Sequence, residues 1–239
     1  MIVLALGGLV AAPEELADFE TKAEYAFFTE DANALRGLLA QGAALADAAQ
    51  PLALYRYAHA EFRLQQLARA GGRAREAAQA GTACADTLDR ALALQPNFAE
   101  ALALDAACNG YLAASGGLRG RLAARRAESR LAAARALAAA NGRVLLVAGL
   151  LQWFGPPADG ARAGARKAFE RATAAFDTVA ATPPGEPTWG AAEAWLFLGR
   201  ALEDDGALLG ARNAYEKSLL IAPQFAAARR RLAALAARR

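Results

Sequence analysis

Residues 195–223 read WLFLGRALEDDGALLGARNAYEKSLLIAP, and the placing of small, aromatic and turn residues in this stretch decides the fold. Asp205-Gly206 divides it into two segments with apolar residues at helical spacing, so it reads as two helices joined by a tight turn. Gly199 and Ala211 are small where two such helices cross, while Trp195 and Tyr215 are large enough to fill the gaps beside the crossing. Pro223 cannot continue the second helix and closes the unit.

Working outward, Gly, Pro and Asn punctuate the rest of the chain into further hairpins. The first runs from Pro13 to Asp47 and breaks at Thr29-Glu30-Asp31, where Thr29 or Asp31 suits the cap of the next helix. The second covers Gln50 to Leu94, broken at Gly71-Gly72 and closed by Gln95-Pro96-Asn97. The third covers Phe98 to Ala140, broken at Ser115-Gly116-Gly117, and the fourth Arg143 to Ala181, broken at Gly155-Pro156-Pro157. The fifth runs from Thr188 to Ala222, and Gln224 to Arg239 is a last single helix. Closing signals at Pro96, Asn141-Gly142, Pro187 and Pro223 are spaced by 46, 45 and 36 residues. Such self-similarity marks a solenoid, because one hairpin leaves an apolar face that only a stacked neighbour covers. No sustained alternation of β-branched residues predicts a sheet. The expected fold is all-α: an α-α superhelix of about five helical hairpins plus a C-terminal capping helix, with 13–239 as one domain.

Trp195, Leu198, Gly199, Leu202, Ala211, Tyr215, Ser218 and Pro223 stand at the spacings of the tetratricopeptide (TPR) signature, and the chain resembles proteins of that family. Leu202 replaces the family's Tyr and Ser218 its Ala. Earlier hairpins match more loosely: Leu88, Ala91 and Pro96 fit the end of one repeat, with Cys84 at the crossing. Phe169 and Ala172 fit another, with Ala165 at its crossing. A narrower resemblance covers Asn97 to Pro223, through Asn97-Phe98-Ala99-Glu100-Ala101, Asn141-Gly142-Arg143-Val144-Leu145-Leu146, Phe154-Gly155, Lys167-Ala168-Phe169-Glu170 and Trp189-Gly190. These blocks are similar to exported bacterial TPR proteins of unassigned function. Members carry a proline after the asparagine and a longer glycine run after Phe-Gly, from which Gly142 and Pro156-Pro157 depart. The resemblance implies a helical solenoid and export, and it supplies no catalytic residue.

Composition agrees with close helix packing. Hydrophobic residues make up 56% of the 239, much of it alanine, which favours helices but fills little core, so the helices must approach closely. Net charge is +3 and carried almost wholly by arginine, with Lys22, Lys167 and Lys217 the only lysines; this small excess does not point to nucleic acid. Met1 to Ala12 carry no charge, a run too short for a bilayer that needs roughly 20 apolar residues. It has the length of a signal-peptide core ending near Ala11 and Ala12, though no basic segment precedes it and Pro13 follows badly on a cut. Export to the periplasm is the reading adopted. The alternative is a buried first helix or arm, with a cytoplasmic protein.

Candidate sites are few. Cys84 and Cys108, the only cysteines, each lie twelve residues from Pro96. Antiparallel helices joined there bring both to one level, about 18 Å from the turn at 1.5 Å per residue. Alanines on either side permit the approach a disulfide needs, with two buried thiols as the alternative. His59, the sole histidine, reads as a hydrogen-bonded structural residue, since one imidazole builds no multi-histidine metal site. Glu203-Asp204-Asp205 read as a solvated turn whose carboxylates diverge. Two basic segments, Arg119 to Arg130 and Arg229 to Arg239, read as solvated faces, with an anionic partner or membrane contact as the alternative. The positions that clamp a partner's carboxylate in some TPR arrays hold Leu196, Arg200 and Glu203, which is no such clamp. Arg200, with Trp153, Phe154 and Trp189 taken as exposed, are the expected partner-binding residues. The sequence predicts no catalytic, metal or cofactor site. It is read as a non-enzymatic protein- or peptide-binding scaffold, or alternatively as a small apolar ligand carrier with an aromatic-lined pocket.

Overall fold

The computed structural model describes residues 11–47, 49–156, 158–178 and 186–237. Most of the apolar run at 1–12, Pro157, the end of the fourth hairpin, and Arg238 and Arg239 therefore lie outside the described residues. Among the described residues the secondary structure is helical throughout, with no strand. Four regular hairpins follow one another: α4 (Pro51–Ala70) with α5 (Ala74–Leu94), α6 (Ala99–Ala113) with α7 (Gly117–Ala138), α8 (Gly142–Phe154) with α9 (Ala161–Asp177), and α10 (Ala191–Asp204) with α11 (Leu208–Ile221). They are preceded by α1 (Pro13–Phe28), α2 (Ala32–Gln41) and a short α3 (Ala43–Asp47), and followed by α12 (Ala226–Ala236).

Local chemistry sets these limits. Asp31, not Thr29, caps α2, accepting from the amides of Asn33 and Ala34 at 3.0 and 2.9 Å. Asn141 caps α8 and also donates to Glu100 on α6 at 2.7 Å, which fixes one hairpin on the next. Pro13 and Pro51 stand at the first turns of α1 and α4, where the missing N–H costs nothing.

The crossing expected at Gly199 is present. A Cβ there would meet the Tyr215 ring at 2.5 Å, and Ala211 and Tyr215 are both fully buried. Ser218, standing where the family has Ala, donates its hydroxyl to the Ala192 carbonyl at 2.7 Å. The α8–α9 hairpin repeats the arrangement with Gly149 under Phe169, where a Cβ would lie 2.4 Å from the ring.

The first helices α4, α6 and α8 are buried nearly all round, whereas α7, α9 and α11 each leave a face in solvent. First helices therefore line the inside of the superhelix. The first pair departs from the stack: α1 lies on α4 and reaches the far end of the chain, where Phe28 packs on Phe225 at 4.6 Å and Glu30 pairs with Arg230. The array thus curls until its first and last hairpins meet, with α1 across the junction.

Candidate functional site

Three features of the array offer chemistry or surface to a ligand, the first beneath α1 and the other two along the ends of the first helices. The innermost is a layer of buried charge. Glu20 of α1 pairs with Arg56 of α4 at 3.1 Å and accepts from the Thr188 amide at 2.8 Å. Glu24, one turn on, accepts from Arg63 at 2.6 Å, and Arg63 also donates to Glu193 of α10. The Arg63 guanidinium lies 4.1 Å from the Phe27 ring centre, so α1, α4 and α10 converge on one side chain. Trp189 donates its indole N–H to the Tyr55 hydroxyl at 2.6 Å and stacks on His59 at 5.0 Å.

Burial governs the protonation of this layer. Burial, then Arg63 and Arg143, holds His59 well below the usual imidazole range, so the ring is neutral. Burial raises Glu24 to about 8, against the opposing pull of Arg63 and with help from Glu193. On α4, burial raises Glu61 to about 7. A carboxyl raised in this way holds its proton more tightly folded than unfolded. Stability is therefore expected to fall as pH rises from about 5, through about 7 for Glu61 and about 8 for Glu24. Thermal unfolding followed across that range checks the slope, and Glu24→Gln should flatten it.

The second feature is an aromatic strip. Arg69 at the end of α4 lies 5.9 Å from the Tyr111 ring of α6, and Tyr111 lies 6.1 Å from Phe154 of α8. Phe154 meets Phe197 of α10 edge-on at 5.7 Å, and Arg200 stands 5.2 to 5.8 Å from both rings and from Trp153. Four successive first helices thus each place an aromatic or arginine side chain in one row. Phe154 is 52% exposed, and half-buried Arg200 has no carboxylate partner among the described residues. Burial and neighbouring Arg231 lower the Arg200 pKa, so the site favours an added anion.

The third feature is a cleft of about 780 Å³ bounded by α6, α7 and α8 and by the end of α4. It exists because α7 stands off α8, whereas α5 packs on α6 and α9 on α10.

No family model matches the sequence, and no curated protein matches it. Among solved structures, a thermophilic TPR protein of Thermus thermophilus superposes with a TM-score of 0.57 at 21% identity, over 95% of this chain and 100% of that one. The chain has a tetratricopeptide-like helical repeat fold. A chain of the APC/C hetero-tetramer Cut9–Hcn1 gives a TM-score of 0.42 at 13% identity, over 99% of this chain and 45% of that one.

Within this TPR-like array the sequence-derived residues separate. Arg200, Trp153 and Phe154 come together, but Trp153 is 6% exposed beneath Arg162 and Arg200, and Trp189 is 2% exposed in the charged layer. Their expected exposure is corrected, since α1 covers Trp189 and the array buries Trp153; of the three aromatics only Phe154 faces solvent. His59 is buried, yet neither ring nitrogen makes a hydrogen bond among the described residues; stacking and a 3.4 Å approach to Glu24 hold it instead. Glu203 is not solvated, because its carboxylate accepts from Tyr215 at 2.7 Å, while Asp205 pairs with Arg166. Arg126 and Arg130 are not a free basic face; both hold buried Asp105, at 3.0 and 2.7 Å. Cys84 and Cys108 face each other across α5 and α6, with Cα atoms 6.4 Å apart and sulfurs at bonding distance. Sequence reasoning missed Tyr111 and Arg69, which stand in the last turns of α6 and α4 as Phe154 does in α8.

Proposed function

We propose that this chain is a non-enzymatic scaffold that binds a protein or peptide partner along the strip from Arg69 through Tyr111, Phe154 and Phe197 to Arg200. The observation that carries the reading is the row itself: exposed Phe154 between half-buried Tyr111 and buried Phe197, flanked by Arg69 and Arg200, with every first helix from α4 to α10 contributing. Helical repeat arrays present extended surfaces of this kind, and aromatic and arginine side chains dominate binding energy at interfaces. The partner segment that fits carries apolar residues for the rings and a carboxylate for Arg200. The deeper inner face is occupied by α1, which leaves the ends of the first helices as the available surface.

We further propose that the protein works after export to the periplasm. The apolar run of residues 1–12 supports this reading, as does the closeness of Cys84 and Cys108, because disulfides persist in oxidising compartments. N-terminal sequencing of protein from fractionated cells tests it, and an intact Met1 in the cytoplasmic fraction would refute it.

The partner surface is tested with the immobilised full chain and a periplasmic extract. Phe154→Ser is expected to weaken retention of the specific partner by tenfold or more while the chain stays folded with a lowered but cooperative melting transition, since the ring is half exposed. Equal retention by both forms would remove the strip from consideration.

A further inference from the structure

We propose that the cleft bounded by α6, α7 and α8 binds one long-chain fatty acid, with its carboxylate at the end where α6 stops and α7 begins. The proposal goes beyond the partner strip: the cleft shares Arg69, Tyr111 and Phe154 with it, but runs on between α6, α7 and α8 and calls for a different ligand.

The shape of the cleft follows from small residues. Gly116 and Gly117 turn the chain with φ of +72° and +63°, a left-handed conformation that glycine adopts without strain. Gly120 then lies so close to α6 that a Cβ would stand 2.7 Å from the Ala113 carbonyl oxygen. Beyond this pinch, Ala107 of α6 and Ala124 and Ala127 of α7 leave the space unfilled, and Leu150 and Leu151 of α8 wall it, Leu151 being seated on Gly110, where a Cβ would lie 2.2 Å from it. Leucines in place of those alanines would have closed it.

Size and chemistry narrow the occupant. A volume of about 780 Å³ lies within the roughly 300–1,000 Å³ range of small-molecule sites. A sixteen-carbon chain, taken at the roughly 30 Å³ of one water per group, needs about 480 Å³; two chains need about 960 Å³ and do not fit. The deep walls are hydrocarbon and offer nothing to read a sugar, a nucleotide or a peptide backbone. Gln66 is already engaged, accepting from Arg63 at 2.9 Å and donating to Tyr111 at 3.3 Å. The remaining polar groups separate by sign. Arg69 on the last turn of α4 and Arg121 near the start of α7 are exposed, line the cleft, and have no carboxylate partner among the described residues. Glu128 lines it two turns further along α7. A carboxylate is thus attracted to one end and repelled from the other, which orients a single-chain anionic amphiphile.

The test is calorimetric titration of the full chain with decanoate, myristate and palmitate, each below its aggregation threshold. Saturable one-to-one binding is expected, tightening about fourfold per added methylene until the cleft is full. Palmitate should bind about threefold or more tighter than hexadecanol, and Arg69→Gln with Arg121→Gln should abolish that preference. Ala124→Trp should weaken palmitate at least tenfold while partner retention on the strip stays unchanged, which separates this proposal from the previous one. A diazirine-bearing palmitate should label 107–128 or 150–156, and this holds as a test even if Ala124→Trp lowers stability. Absence of saturable binding, labelling elsewhere, equal affinity for hexadecanol, or binding to anionic phospholipid vesicles in place of the free acid would each overturn it.

Discussion

Replacing Arg63 by alanine is expected to cost about 3–5 kcal/mol of folding free energy, the loss seen when one partner of a buried ion pair is removed. Arg63 is fully buried and donates to Glu24 of α1, Glu193 of α10 and Gln66 of its own helix. Without it two carboxyl groups face each other away from water, and each must take up a proton or lose its hydration uncompensated. The loss should therefore be larger at pH 8 than at pH 5.5, where protonation costs less. In a chain of this size, each kcal/mol lowers the melting temperature by about 2–4 °C, so the shift is roughly 6–20 °C. Hydrogen exchange should show α1 opening first, since Glu24 and Phe27 lose their common anchor. Arg63→Met combined with Glu24→Leu and Glu193→Leu should recover most of the loss, because the cost lies in stranded charge rather than in missing attraction. A loss below about 1 kcal/mol for the single change would mean that the three helices do not depend on this contact.

The contrast between Gly199 and Arg63 shows what the sequence could and could not disclose. The crossing at Gly199 is local: the glycine, the ring above it and the closing proline fall within one hairpin, so spacing alone exposes the geometry. The charged layer joins Glu20 and Glu24 to Arg56, Arg63 and Glu193, residues up to about 170 positions apart, and nothing in the hairpin pattern says that α1 leaves the stack. Composition hid it too, because charged residues on helices ordinarily face solvent. Trp189 misled for the same reason: beside Pro187 and Gly190 it reads as an exposed loop residue, and only closure of the array buries it. Phe154 was legible because the turn that follows it ends α8 and leaves the last aromatic uncovered. The cleft was illegible because it comes from what α7 lacks, a run of bulky residues toward α8, and alanine is common everywhere in this chain.

Reducing the Cys84–Cys108 pair is expected to lower stability by about 3 kcal/mol, a melting shift of roughly 6–12 °C. The two residues are 24 apart, so a bond between them removes loop freedom from the unfolded chain while asking little of the folded one, whose helices already hold the Cα atoms at 6.4 Å. Both side chains are fully buried, and the Cys108 carbonyl accepts from Gln65 of α4 at 3.1 Å, so the pair sits where α4, α5 and α6 meet. Mass spectrometry of unreduced peptides should show Cys84 linked to Cys108. The double variant Cys84→Ala/Cys108→Ala should melt close to the reduced protein and ignore reductant, which separates the bond from any other effect of the reagent. Two free thiols in protein purified from an oxidising compartment, with a melting temperature indifferent to reductant, would refute the link. The reading of the exported state would then rest on the N-terminal run alone. A confirmed link has a consequence for the cleft as well. It fixes α6 one residue from Ala107 and two from Gly110, so the reduced protein should bind palmitate more weakly than the oxidised one.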